Sequence, residues 1–358
     1  MSEQPDGPVP EVEDQPGPAR RMPTRRSVVR AAVLLALAFA LGAAVSLVHL
    51  PYAIMSPGPA TDVLGTQERA DGSRVERIVI SGRETYSTSG SLDFTTVRVV
   101  GGPGFAVNAV AVLTAWLDPN RDVFPVDALF PPDATKEQVA EENRVEMSSS
   151  QHAAAAVALR ALGYDVPQVV SVARVSPDAP SAGELKAGDI LVSIAGAPVT
   201  DPAATRAAVQ KVSPGDTLDI VVERGGSQVT VHPKTGKADD GRTVLGVVLG
   251  ADYRMPFGVS IDAGNVGGPS AGLMFSLGVY DKLTEGELTG GTSIAGTGTI
   301  NDDGSVGAID GIRQKMAGAR QAGASYFLAP GANCPDVAGQ TPEGMTVVKV
   351  ETFDQART

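Results

Sequence analysis

Gly264-Asn265-Val266-Gly267-Gly268-Pro269-Ser270-Ala271-Gly272 runs directly into Leu273-Met274-Phe275-Ser276-Leu277-Gly278-Val279-Tyr280. The glycines permit a tight backbone, and the apolar run after them predicts a buried helix that begins at the serine. Ser270 is thereby placed at a helix N-terminus, where unpaired N–H groups and the helix dipole favour a developing oxyanion. The same glycines leave room for a substrate backbone. On this stretch alone an ordinary helix cap accounts for the serine equally well.

Outside this stretch, 358 residues with 42% hydrophobic content are enough for two globular units with sizeable cores. Forty-one glycines, 26 prolines and 4% aromatics predict many turns and short strands, hence a mixed α+β chain. A net charge of -12 opposes a nucleic-acid surface, which needs clustered Lys and Arg. The single cysteine, Cys334, excludes an intrachain disulfide and a Cys-rich metal site. Of the three histidines, His49 lies in an apolar run, and His152 and His232 lie in segments that read as structural. No metal site is expected, and a Ser-His-Asp triad is disfavoured.

Ala31 to Leu50 reads AAVLLALAFALGAAVSLVHL, twenty residues without formal charge. As a helix this run spans about 30 Å, one membrane crossing. Arg20, Arg21, Arg25, Arg26 and Arg30 precede it, which places the N-terminus in the cytoplasm and the body outside, with Tyr52 at the outer interface. A cleaved signal peptide is the competing reading. The tail of residues 1–30 is predicted to be disordered over its Pro- and acid-rich first twenty residues.

Beyond the anchor, Val75–Ile80 and Leu92–Val100 have strand patterns. Glu137–Glu146 is helical, and Ser148-Ser149-Ser150 is read as the cap of an Ala-rich helix, Gln151–Leu162. From about Val166 to Pro233 a compact α+β module is expected, with strands at Val169–Ala173, Leu218–Glu223 and Gln228–His232, a turn entering a strand over Leu185–Ile194, and a helix at Asp201–Val212. Within it, SPDAPSAGELKAGDILVSIAG (176–196) and PGDTLDIVVERGG (214–226) resemble a bacterial PDZ domain. That resemblance implies binding of an extended peptide at a sheet edge. It also implies a carboxylate-binding loop near Gly163-Tyr164-Asp165-Val166, although this segment lacks the Gly-hydrophobic-Gly-hydrophobic form.

Gly268-Pro269-Ser270-Ala271-Gly272 and the later run Thr297 to Lys315 resemble the two motifs of the Lon proteolytic domain, in order and correctly spaced. The likeness continues through Gly323, Leu328-Ala329-Pro330 and Asn333. It implies Ser270 as nucleophile, Lys315 as general base, and Thr297, Gly268, Pro269 and Ala271 as supporting residues. A base at neutral pH must be an uncharged lysine, whereas a free one ionises near pH 10.4, a gap worth roughly 4 kcal/mol. Ile309, Ile312, Met316 and a helix start are the local means of closing that gap. Lys282, twelve residues after Ser270 on the same predicted helix and about 18 Å along it, is read as a solvated helix end out of reach. At position 267, where Lon enzymes often carry an acid, this chain has glycine; Asp262 is a candidate substitute that is not adopted.

Leu92–Thr96 and Ser148–Leu162 resemble earlier parts of the same domain. The expected architecture is therefore a Lon proteolytic domain split by an inserted PDZ domain: residues 1–30 tail, 31–50 transmembrane helix, 51–163 first part, 164–236 PDZ, 237–358 catalytic part. No Gly-x-x-x-x-Gly-Lys-[Ser/Thr] motif is present, so the expectation is an ATP-independent, cofactor-free peptidase acting on flexible polypeptides outside the cytoplasm. By the same resemblance a homo-oligomer is expected, because Lon-like domains often form rings. The alternative is a membrane-tethered PDZ scaffold whose Lon-like domain no longer cleaves.

Overall fold

A computed structural model describes residues 47–69, 72–238 and 240–358, together with 26, 29, 33–37 and 40. The predicted tail 1–30 falls almost wholly outside these residues, as does most of the predicted span 31–50. Among the described residues no helix is long and apolar enough to cross a membrane. Residues 33–37 are helical. At the far end of the expected span, His49–Leu50 (β1) is strand instead of helix, because it pairs with Val107–Asn108 (β5).

The remaining elements used below are, in chain order, Tyr52–Asp62 (β2), Ile78–Ser81 (β3), Ser91–Val100 (β4), Ala109–Trp116 (α1), Asp122–Pro125 (β6), Lys136–Ala161 (α2), Gln168–Val175 (β7), Ile190–Ile194 (β8) and Pro202–Val209 (α3). They continue with Ile220–Arg224 (β9), Ser227–Val231 (β10), Val247–Tyr253 (β11), Gly258–Ile261 (β12), Gly272–Lys282 (α4), Ser293–Gly296 (β13), Ile312–Gln321 (α5), Tyr326–Pro330 (β14) and Thr346–Val350 (β15).

One six-stranded sheet runs β15-β14-β13-β4-β2-β6. Its first four strands are parallel neighbours, and β2 and β6 are added antiparallel. Three of its strands come from before residue 126 and three from after residue 292, so two distant parts of the chain build one domain. The core joins the same two parts: Leu92, Phe94, Ala154 and Val157 pack with Leu273, Phe275 and Leu277. Phe94 and Phe275 meet with ring centroids 5.4 Å apart.

Between the two parts, β10-β9-β8-β7-β11 forms a second sheet with its own core around Val172, Leu191, Ile194 and Ile220. The Gly-Asp of its sequence pattern has a structural role: Asp189, 1% exposed, forks onto Arg224 through Nε and Nη2, both at 2.7 Å. The edge strand β11 lies beyond the expected boundary at residue 236. As a short apolar run it carries no mark of its sheet, and only its pairing with β7 assigns it to this module.

Helix α2 is continuous from 136 to 161, so Ser148-Ser149-Ser150 is not a cap. Thr135 and Gln138 make the capping box instead: Gln138 N donates to Thr135 Oγ1 (3.2 Å) and Thr135 N donates to Gln138 Oε1 (2.8 Å). With no Gly or Pro between residues 136 and 161, the helix has nothing to interrupt it.

Candidate active site

Ser270 lies in the turn that enters α4. Gly268 takes φ +84°, a conformation that costs glycine little, and its N–H donates to Asn143 O at 2.9 Å. Pro269 O accepts the hydroxyl of Ser150 at 2.9 Å. Ser150, read as part of a cap, is therefore a brace for the Ser270 turn. Ser270 O accepts Gly298 N–H at 2.8 Å and Thr297 Oγ1 at 3.0 Å. The N–H groups of Ser270 and Ala271 have no acceptor among the described residues, as expected at a helix start.

Lys315 stands in the first turn of α5, with its N–H bonded to Gly311 O. Its Nζ lies 2.8 Å from Ser270 Oγ and 3.0 Å from Thr297 Oγ1. Lys315 is 3% exposed and Thr297 is fully buried. Burial lowers the lysine from its ordinary value of 10.5 to about 7, with Asp310 pulling in the opposite direction. A neutral amine at neutral pH is the form able to accept a proton from the serine. Helix α5 is held in place by Asp122 of β6, which pairs with Arg313 and accepts Gln314 Nε2 at 2.6 Å.

Lys282 does not join this site, but it is not a solvated helix end either. Its side chain is only 11% exposed and its Nζ pairs with Glu76 at 2.7 Å. Asp262 is spent on a local turn, accepting Gly264 N–H at 2.8 Å. At Gly267 there is no space for any side chain: a Cβ would lie 2.7 Å from Asn143 Cβ. Two acids line the cleft with Ser270, Asp310 and Glu146 of α2; the Glu146 pKa is raised by partial burial and then by Glu142. Nothing in the sequence marked Glu146 or Asn143, since both lie on what reads as an exposed charged helix.

Ser270, Lys315 and Thr299 face Met55, Val97, Phe130 and Glu146 across a cleft of ≈ 540 Å³. Val97, Val99 and Asn143 also wall a neighbouring cleft of ≈ 850 Å³ running past Ile261 to Gly267. The two clefts therefore share a wall. Strand β4 pairs with β13 only over residues 91–94, so from Thr95 to Val100 its edge opposite β2 has no strand beside it among the described residues.

The expected peptide-binding segment Gly163-Tyr164-Asp165-Val166 forms the turn between α2 and β7. Gly163 ends α2 at φ +86°, Tyr164 packs edge-on against Phe257 at 5.2 Å, Val166 is 2% exposed, and Asp165 is exposed. The module's apolar groove, ≈ 260 Å³, lies between α3 and β11 and is lined by Thr205, Val209, Leu245, Val247 and Leu249. Leu245-Gly246-Val247, a hydrophobic-Gly-hydrophobic turn with Gly246 at φ +73°, lines this groove.

Residues 144–235 match the PDZ domain, and residues 257–357 match the Lon protease (S16) C-terminal proteolytic domain. The chain carries a PDZ domain and a Lon-type proteolytic domain. A probable periplasmic serine endoprotease, DegP-like, from Halomonas elongata is 30% identical over 100 residues, covering 28% of this chain. The match spans 21% of that protein, about a fifth of its length. Among solved structures, the PDZ domain of an SdrC-like protein from Listeria monocytogenes is 26% identical, with TM-score 0.22, covering 23% of this chain and 86% of that one. Its counterpart from Listeria innocua is 26% identical, with TM-score 0.22, covering 23% and 92%.

Proposed function

We propose that this chain is an ATP-independent serine endopeptidase that uses a Ser270-Lys315 dyad on flexible or unfolded polypeptides. The reading adds that residues 31–50 anchor it in the membrane, with the catalytic domain outside the cytoplasm. The observation that carries the chemistry is the 2.8 Å approach of the buried Lys315 Nζ to Ser270 Oγ, half-buried in the cleft. A lysine near 7 is uncharged in about half of molecules at neutral pH, which is where a general base is most effective.

In this mechanism Lys315 removes the hydroxyl proton as Ser270 Oγ attacks the scissile carbonyl. The resulting oxyanion faces the N–H groups of Ser270 and Ala271 at the positive end of α4. Lys315 then gives its proton to the leaving amine, and the acyl-serine ester remains. Water, deprotonated by the same lysine, hydrolyses the ester and restores the serine. Thr297 accepts no proton: its hydroxyl donates to Ser270 O and receives a hydrogen bond from Lys315, which aims the amine. A substrate strand added along the free edge of β4 would lie extended across the nucleophile.

The PDZ groove between α3 and β11 would hold a second extended segment of the substrate, retaining it near the cleft. The test is cleavage of fluorescein-labelled casein by the purified chain without nucleotide. Ser270→Ala and Lys315→Ala are each expected to abolish turnover while preserving the circular dichroism spectrum. Undiminished turnover in either variant would end the dyad assignment.

A further inference from the structure

We infer that the outer face of α1, with Phe105 and Leu117, is a membrane-docking surface that holds the catalytic domain against the bilayer. The inference rests on the proposal that residues 31–50 are a membrane anchor. Helix α1 reads Ala-Val-Ala-Val-Leu-Thr-Ala-Trp and carries no charge. Its inner side, Val112 and Ala115, packs on Ile54 and Val107. A surface helix with such a core side normally turns charged or polar side chains to water. This one turns out Val110, Leu113 and Trp116, 41%, 56% and 64% exposed, with Leu117 at 78% just beyond the helix and Phe105 at 58% before it.

The one polar side chain on the outer side, Thr114, returns its hydroxyl to Ala111 O at 2.9 Å and so presents no unmet donor. A helix that is apolar on both sides is matched to a medium that is not water. Charged groups border the face on two sides: Arg121 and Asp118 pair at 2.9 Å, and Lys136 Nζ lies 4.6 Å from the Phe105 ring centroid.

What identifies the occupant as lipid is the route of the chain. β1 pairs with β5, and Ala109 N–H, at the first residue of α1, donates to Val48 O at 3.0 Å. The end of the apolar run 31–50 is therefore stitched to the start of this helix. Leu47 and Val48, 76% and 49% exposed, extend the apolar face toward the run. An anchor leaving the bilayer here brings α1 to its surface, where Trp and Leu settle at the headgroup boundary. Along β2, Ile54 packs with the α1 cluster while the next residue, Met55, lines the Ser270 cleft. Docking by α1 thus leaves the cleft facing away from the lipid, open to polypeptides in water.

Trp116 is the chain's single tryptophan, so its fluorescence reports on this face without an added label. The full chain is reconstituted in phosphatidylethanolamine/phosphatidylglycerol vesicles, with brominated acyl chains or with iodide on both sides, and flotation is measured on the same samples. Trp116 emission is expected to be quenched about twofold by brominated lipid and little by iodide. A Leu113→Glu, Leu117→Glu variant, altered only at exposed positions, should float equally well and lose the lipid quenching. A wild-type chain that does not float removes the anchor and the docking face together. A chain that floats with Trp116 quenched by iodide but not by lipid overturns the docking face and leaves the anchor standing. Protection from both quenchers assigns the face to a second copy of the chain, which overturns the inference as well.

Discussion

Gly318 of α5 lies over Gly58 of β2 so closely that a Cβ on Gly318 would come within 2.4 Å of the Gly58 carbonyl oxygen. This backbone contact sets how deeply α5, and with it Lys315, sinks against the sheet. Gly318→Ala should therefore lower stability by about 1–3 kcal/mol and reduce turnover by displacing the helix. A thermal melt with an unchanged midpoint would show that the approach is looser than described.

Lys315 makes activity depend on pH in a defined direction. Its folded value of about 7 means that the uncharged base accumulates as pH rises, so kcat/KM should climb through about pH 7 and level off above it. Lys315→Arg, which stays charged at every accessible pH, should be inactive across the profile.

The same shift has a cost in stability. The unfolded lysine ionises near pH 10.4 and the folded one near 7, so between these values the unfolded chain binds more protons and stability rises with pH. Below about pH 7 the penalty is complete. Lys315→Met, which removes the titrating group but keeps the apolar stem, should raise the unfolding free energy at neutral pH, by an amount on the order of a few kcal/mol or less, and flatten its rise between pH 7 and 10. A variant less stable than the parent at pH 7 would contradict this account.

Thr297 is expected to act by positioning. Thr297→Val keeps the shape and removes the hydroxyl shared by Lys315 and Ser270 O, and turnover should fall about 10- to 100-fold with little change in KM. Thr297→Ser should recover most of the loss. Equal damage from both substitutions would point to packing instead.

Gly267 and Asn143 form a steric pair. Gly267→Ala should destabilise by about 1–3 kcal/mol, and adding Asn143→Gly, which removes the opposing Cβ, should restore part of it despite the helix cost of glycine. Additive losses in a denaturation series would exclude direct contact.

Much of this was legible in one dimension because it depends on local backbone chemistry. Glycines and proline around Ser270 force a tight turn, the apolar run after it makes a helix, and the Thr297 to Lys315 spacing carries the second motif. Strand alternation and the Gly-Asp turn likewise outlined the inserted module. Residues whose roles depend on a distant partner gave no such sign. Ser150 has the composition of a cap until Pro269 O is placed beside it, and Lys282 has that of a solvated end until Glu76 arrives. Glu146 and Asn143 belong to a charged helix face until α2 is laid along the cleft. The groove beside α3 was not legible for the same reason, since β11 becomes its wall only by pairing with β7 across more than seventy residues of chain.

The tight turn at Ser270, the Thr297 to Lys315 motif and the presence of two modules were thus legible in the sequence, through conformational preference and motif spacing. Tertiary structure alone decided that the Lys315 pKa falls to about 7, because it is set by burial, a property of what the fold packs around an amine.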